Sequence, residues 1–313
     1  MSRRYYYWKI QENAPPPLRR SERSPRIPTP EYSSLEEIRI AAPLDLSEFP
    51  FRWDIARREQ LGTLLEGDRE EAYQGFRDDL IQAGARVLGA AGNARLVFVG
   101  RSPESLFDLM GGILRDSSWQ GRVHLLPFSM HLNHGRDDLP TPTALAAYRD
   151  LLEAHGLLPR QIASSSLPIT FADIVASGGS FYSLIALLKR FAQEDQTDWN
   201  AVRKKIRIVG ICRQEKTSPK TWRWQQHSPW LTELMGGTHC VRNVSVRKEL
   251  YHYLADYQPK TTPSYPPKSW GIPTEKTVAF RQKHFPSLRL ARSLYEEGTS
   301  RRCRADFTAV LRE

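Results

Sequence analysis

Between residues 92 and 212, short apolar runs alternate with segments of helical period, and no other feature of the chain restricts its fold as much. "GNARLVFVG" (92–100) reads as a buried strand that ends in a glycine turn. "SPESLFDLMGGILRD" (102–116) then reads as a helix, with Ser102 as its cap, Pro103 at its first position and acids in its first turn. "RVHLLPFSM" (122–130) is a second strand, "HLNHGRDDLPTP" (131–142) a polar loop, and "TALAAYRDLLEAHG" (143–156) a helix ended by Gly156. "LPITFADIVA" (167–176) is a third strand, "SFYSLIALLKRFAQE" (180–194) its helix, and "KKIRIVGIC" (204–212) a fourth strand. Strands that alternate with helices predict an α/β fold, with a mainly parallel sheet and helices on both faces. In such folds ligands sit at the carboxyl ends of the strands. No run of 18 apolar residues exists, so no membrane span is expected.

The flanks are less regular. Apolar residues recur at helical spacing from Ile55 to Leu88 and predict two helices split near Gly67. After residue 212 the period fades into an aromatic, polar stretch, "TWRWQQHSPWLTELMGG" (221–237). "SVRKELYHYLADYQ" (245–258) reads as a helix, residues 259–273 as a proline-rich connector, and the chain from Thr274 as a last helical segment interrupted at Pro286. Three regions follow: a basic, proline-rich arm over 1–30, an α/β domain with a helical lead-in over 31–258, and a basic extension over 259–313.

Charge follows the same division. The net charge is +10, but residues 1–30 hold seven Lys/Arg against two Asp/Glu (+5) and residues 260–313 hold eleven against five (+6). The stretch between holds the remaining 27 and 28 (−1). Basic ends around a neutral centre suit an anionic partner such as nucleic acid or a nucleoprotein complex, or they are solvated surface. Cys212, Cys240 and Cys303 are too few and too scattered for a disulfide framework. With no apolar stretch of a secretory signal at the N-terminus, a reducing cytoplasm is the expected compartment.

The third strand runs into Ala176, Ser177, Gly178, Gly179 and Ser180 before its helix. Glycine allows positive φ and close approach of a ligand, and amides at a helix start favour an anion. Asp173, just before the turn, can accept hydrogen bonds from sugar hydroxyls. The same residues also serve as a plain glycine-eased bend. The turn lacks the Gly-Lys-Ser/Thr ending of a Walker A loop and the spaced three-glycine fingerprint of dinucleotide sites.

"ITFADIVASGGSF" (169–181) resembles the phosphoribosyl-pyrophosphate (PRPP) loop of type I phosphoribosyltransferases. That motif has four apolar residues, two acids, two apolar residues and a small-residue loop. The resemblance covers residues 95–212, roughly a third of the chain. It implies that Ala176, Ser177, Gly178, Gly179 and Ser180 hold the 5′-phosphate of PRPP or a nucleotide. It also implies that Asp173 grips a ribose hydroxyl, that Gly100, Arg101 and Ser102 meet pyrophosphate, and that residues 130–142 form a hood. The activity implied is making or breaking a glycosidic bond at ribose C1, with Mg²⁺ accompanying PRPP. The family's first acid is replaced here by Ala172. Glu104 is the candidate to supply the missing carboxylate, against a plain role as a first-turn acid. The alternative is a non-catalytic regulator or effector subunit, of the kind found in bacterial anti-phage (reverse-transcriptase or retron-type) systems, that binds nucleic acid through its basic ends.

Other candidates carry less chemistry. His131 and His134 with Asp137 and Asp138 are ordinary content of a polar loop, and no metal ligands are assigned. Trp222, Trp224 and Trp230 suit either base stacking or packing. Cys212 reads as a small core residue. The aromatic stretch and the arm leave room for a partner or a homo-oligomer.

Overall fold

A computed structural model describes residues 72–130, 139–216, 223–261, 264–271 and 285–312. The first of the two helices expected before residue 88, the N-terminal arm and the loop holding His131 and His134 lie outside the described residues. The second helix is α1, Phe76–Ala91. Then follow β1 (Arg95–Val99), α2 (Glu104–Ile113), β2 (Val123–Leu126), α3 (Pro142–Ala154) and α4 (Pro159–Ser164). Next come β3 (Ile169–Ile174), α5 (Gly179–Glu194), α6 (Trp199–Lys205) and β4 (Ile206–Arg213). After them lie α7 (Trp230–Met235), β5 (Val241–Val246), α8 (Lys248–His252), α9 (Phe285–Gly298) and α10 (Arg301–Arg312).

Among the described residues five strands form one sheet in the order β2-β1-β3-β4-β5, every pair parallel. The α/β architecture expected from the alternating pattern is therefore present. β5 had no counterpart in the reading above. Its sequence, VRNVSV, is short and half polar, as befits an edge strand covered on one side only.

Strand residues alternate between two apolar clusters. Val97, Val99, Phe171 and Ile208 point to one face, where Tyr148, Phe181, Leu184, Leu188 and Leu231 bring α3, α5 and α7. Leu96, Phe98, Ala172, Val209 and Ile211 point to the other, against Phe76, Leu106, Met110, Leu294 and Phe307 of α1, α2, α9 and α10. Residues 285–312 thus share a core with the sheet. Each fully buried Leu or Phe stabilises the fold by about 1.5–3 kcal/mol. Close backbone approach extends this packing, since a Cβ on Gly112 would lie 2.0 Å from the Tyr295 carbonyl oxygen.

The chain leaves β1 towards β2 on one side, then returns to place β3 on the other. Helix α2 covers one face at this reversal and α5 the opposite face. The carboxyl ends of β1 and β3 are therefore the switch point of the strand order, the place where doubly wound sheets bind ligands.

Candidate functional site

Both turns singled out in the sequence stand at this carboxyl edge, after β1 and β3. β3 ends at Ile174 and the turn residues Ala176 and Ser177 are exposed. Gly178 occupies the position before α5 with φ 81°, in the left-handed region, so the glycine is required by the backbone. Helix α5 takes its first backbone bond from the Tyr182 amide to the Gly178 carbonyl. Among the described residues, the amides of Ser177, Gly178, Gly179 and Ser180 donate no hydrogen bond within the chain. Those of Gly178, Gly179 and Ser180 belong to the helix start, whose amides have no partner within the helix.

One side of this loop is roofed. A Cβ on Gly178 would stand 2.6 Å from Trp224 Cε3, and one on Gly210 would stand 2.9 Å from Trp224 Nε1. The buried indole donates from Nε1 to Asn243 Oδ1 (2.9 Å) and packs beside Phe181. Trp224 and Trp230 are core residues, so of the two uses open for them packing applies; Trp222 lies outside the described residues.

Asp173 follows Phe171 on the same face of β3 and is 8 % exposed. Its Oδ1 accepts the Ile174 amide (2.7 Å), and among the described residues no hydrogen bond reaches Oδ2. Burial pushes its carboxyl up to about 8, while the Ile174 amide and the positive Lys260 act in the other direction. The neighbouring Ala172 is fully buried in the opposite cluster. An acid there would point into apolar side chains, away from Asp173, which accounts physically for the alanine.

Glu104 opens α2 on the face to which Ala172 points and is 2 % exposed. Its Oε2 accepts both the Thr261 amide (2.9 Å) and the Thr261 hydroxyl (2.7 Å). Ser102 makes no cap bond, in contrast to the sequence expectation, and Pro103 takes the position before the helix. Pro103 at that position has no side-chain acceptor, and Ser102 stands one residue before it. Gln258 Nε2 donates to the Ser102 carbonyl (2.5 Å) and, more weakly, to the Arg101 carbonyl (3.4 Å), while Gln258 Oε1 accepts Ser105 Oγ (2.7 Å). Gly100 turns with φ 75° and donates to the Leu126 carbonyl.

Residues 251–261 therefore form a strap across both turns. Tyr251 Oη donates to the Val175 carbonyl at one end, and Gln258 and Thr261 fasten the other. The strap carries Lys260, whose ammonium donates to the Leu254 carbonyl (2.8 Å). Burial lowers the Lys260 ammonium to about 8, with Glu104, Asp173 and Asp256 opposing the shift and Arg101 adding to it. Lys260 is thus within electrostatic reach of Glu104 and Asp173. Sequence reasoning missed it, because its stretch has the composition of a linker.

Cys212 is buried, and burial pushes its thiol up to about 12, so it stays neutral. Among the described residues, no three of His, Cys, Asp and Glu gather as a metal site, and no helix is long and apolar enough to cross a membrane. No family model matches the chain, and comparison with curated proteins and with solved structures found no match.

Proposed function

We propose that the chain binds a phosphorylated ribose, PRPP or a nucleotide, in the crevice between the β1–α2 and β3–α5 turns, and makes or breaks a glycosidic bond at ribose C1. One observation carries the reading. Asp173, nine-tenths buried, keeps an oxygen without a hydrogen bond among the described residues, just before four amides that also lack acceptors. The Asp173 oxygen is not sealed from solvent and the turn beside it is exposed at Ala176 and Ser177, so a ligand reaching this edge can replace water there. A ligand with hydroxyls beside an anionic ester answers the carboxyl and the amides together.

In this reading Ser177, Gly178, Gly179 and Ser180 hold the 5′-phosphate, and Asp173 binds a ribose hydroxyl. Gly100, Arg101 and Ser102 face the leaving group. Transfer at C1 develops positive charge on the ribose, which a nearby carboxylate stabilises. Asp173 serves this role once ionised, and Lys260 beside it favours the ionised form. A Mg²⁺ arriving on PRPP needs only one or two protein carboxylates. Asp173 has an oxygen to give, and an ion held there would neutralise charge on the diphosphate. Titration calorimetry with PRPP and Mg²⁺ tests the site. Heat is expected for the wild type and not for Asp173→Ala or Gly179→Asp; equal heat in all three removes the site.

A second reading, a non-catalytic regulator that holds nucleic acid, is favoured by position 172. Ala172 is core, and Asp173 is protonated below about pH 8, so the crevice lacks the ionised acid pair of the resembled enzymes. Arg301 and Arg302 are exposed on α10 and add to the basic ends. Nucleic acid that copurifies and leaves steeply with salt, with no turnover of a nucleobase with PRPP, selects this reading.

A further inference from the structure

The parallel strands bring a second surface together, at the amino edge of the sheet, opposite the two turns. Residues 92–95, 117–123, 155–168, 203–207 and 236–241 lead into the five strands. They hold seven Lys/Arg and no Asp/Glu. In the sheet order the cations begin with Arg122 before β2 and Arg95 at β1. They end with Arg203, Lys204, Lys205 and Arg207 at β4. The seventh, Arg160 on α4, pairs with Glu153, and Asp116, the nearest acid before β2, pairs with Arg115.

Among the described residues, the six cations from Arg122 to Arg207 make no ion pair, and four of them are held by neutral oxygens. Arg122 donates to Asn93 Oδ1 (2.7 Å) and to the Ala94 carbonyl (3.2 Å). Arg95 donates to the His155 and Gly156 carbonyls (2.6 and 3.3 Å). Lys205 donates to the Ser165 carbonyl (2.9 Å), and Arg207 to the Ala91 carbonyl (3.2 Å). These bonds position the side chains and leave their charge uncancelled. His124 on β2 senses that charge: burial, then Arg95 and His155, lower its imidazole to about 4. At the carboxyl edge cations and acids are interleaved instead, with Arg213 against Glu215 (3.2 Å) and Arg247 against Glu249 (3.5 Å). The near-neutral centre of the chain is therefore divided in charge between its two edges.

We infer that the amino edge is a docking surface for the phosphate backbone of nucleic acid. From β2 to β4 the cations span about 14 Å, at ~4.8 Å per strand. Duplex DNA carries one charge per ~1.7 Å of its axis, so this row meets several phosphates at once. A protein interface or a bilayer calls for apolar side chains at the contact. The exposed large apolar residues, Leu139 and Tyr257 among those described, lie outside these stretches. The surface does not depend on what the crevice binds. It rests on the second reading only for the class of partner, and it moves that partner from the basic ends to the sheet.

The test is fluorescence anisotropy of the full chain with a labelled DNA duplex of about 20 base pairs and with one of its single strands, from about 50 to 200 mM salt. Duplex binding is expected with a log–log salt slope of about −5, near one phosphate contact per cation. Arg122→Gln combined with Lys204→Gln and Lys205→Gln should weaken it at least tenfold and flatten the slope by about 3. If this variant loses its thermal transition, Lys204→Gln alone is read, an exposed side chain whose loss should flatten the slope by about 1. Arg301→Gln with Arg302→Gln on α10 should stay within about twofold of wild type. Loss with the α10 pair and none with the edge variants overturns the inference and leaves nucleic-acid binding by the ends standing. Tighter binding to vesicles of equimolar phosphatidylserine and phosphatidylcholine than to the duplex also overturns it and assigns the edge to a membrane. No binding of duplex or single strand at the lowest salt removes the inference together with the second reading, and leaves the ribose-phosphate site untouched.

Discussion

The two strand-to-helix turns at the carboxyl edge begin from similar ingredients and end in different states. Each follows a buried parallel strand, contains a glycine at positive φ and has serines near its helix start. In the β1–α2 turn the main polar groups are answered from inside the chain. Gly100 bonds to Leu126, the Arg101 and Ser102 carbonyls and Ser105 bond to Gln258, and Glu104 bonds to Thr261. In the β3–α5 turn Trp224 covers Gly178, yet Ala176 and Ser177 are exposed and the amides of residues 177–180 donate no hydrogen bond among the described residues. The difference lies in what crosses each turn. A polar strap with amide and hydroxyl groups satisfies the first, whereas an indole can only exclude water from part of the second. The first turn is fastened by the strap, and the second is covered on one side only.

Removing Glu104 is the strongest way to break this contrast. Glu104→Ala leaves two Thr261 donors without their buried acceptor and loosens the strap. A loss of about 4 kcal/mol in unfolding free energy is expected. Denaturant titration checks it, with Ser177→Ala as the partner measurement, expected within about 0.5 kcal/mol of wild type. Similar losses from both substitutions would erase the distinction between the turns.

Asp173 sits between the turns and yields the next effect, through pH. Its folded pKa is raised to about 8, so the native state keeps a proton that the unfolded chain releases near pH 4. Native stability is therefore favoured at low pH and declines as pH rises from about 4 to about 8, then levels off. Asp173→Asn removes this decline. The expected gain of the variant over wild type grows across that window to ~3 kcal/mol, less than the full linkage value because the chain relaxes around an ionised carboxylate. The difference between the two stability curves is the quantity to measure. His124, which burial lowers to about 4, gives a slope of opposite sign that cancels in the difference. Lys260, lowered to about 8, starts to lose its native-state proton only at the top of this window, so the slope is read below about pH 7. A flat difference curve would show that Asp173 is ionised in the native state.

The parts legible in the sequence were those held by local pattern. RLVFV, ITFADI and IRIVGICR are apolar runs of strand length, and the helices that follow the first two carry a clear helical period. Helices α4 and α6, with six and seven residues, are too short to show a period. β5 escaped because Arg242 and Asn243 interrupt its apolar pattern. In the crevice, Asp173 and the 176–180 loop were legible because they adjoin in sequence. Trp224, Gln258, Lys260 and Thr261 were not. They reach the turns only through the sheet order and through a segment rich in Pro, Thr and Lys that reads as a linker.

A smaller effect sharpens the role of the roof over the second turn. Gly178→Ala must hold alanine at φ 81° and push a methyl into Trp224. The expected cost is about 2 kcal/mol, part backbone and part packing. Gly121→Ala is the control for the backbone part, since Gly121 has φ 75° and nothing within 4 Å of its Cβ position; about 1 kcal/mol is expected there. The double variant Gly178→Ala with Trp224→Leu should recover part of the packing cost, with a coupling above about 0.5 kcal/mol by denaturation. Strict additivity would mean that the indole does not constrain the turn.

The smallest effect bears on what the open donors are for. Ser177 is exposed, and its hydroxyl makes no hydrogen bond among the described residues, so Ser177→Ala has nothing to disturb in the fold. If the amides around it cradle a phosphate, the hydroxyl adds one bond to a charged acceptor. Its removal should weaken binding of ribose 5-phosphate about tenfold, a hydrogen bond to a charged group being worth ~1.5 kcal/mol. Ser102→Ala, at the equivalent place in the first turn, should leave that affinity within about twofold, because its backbone is committed to Gln258. Parallel titrations of the two variants read the contrast directly. An equal loss in both would place the phosphate across the two turns, and no loss in either would assign the β3–α5 donors to solvent alone.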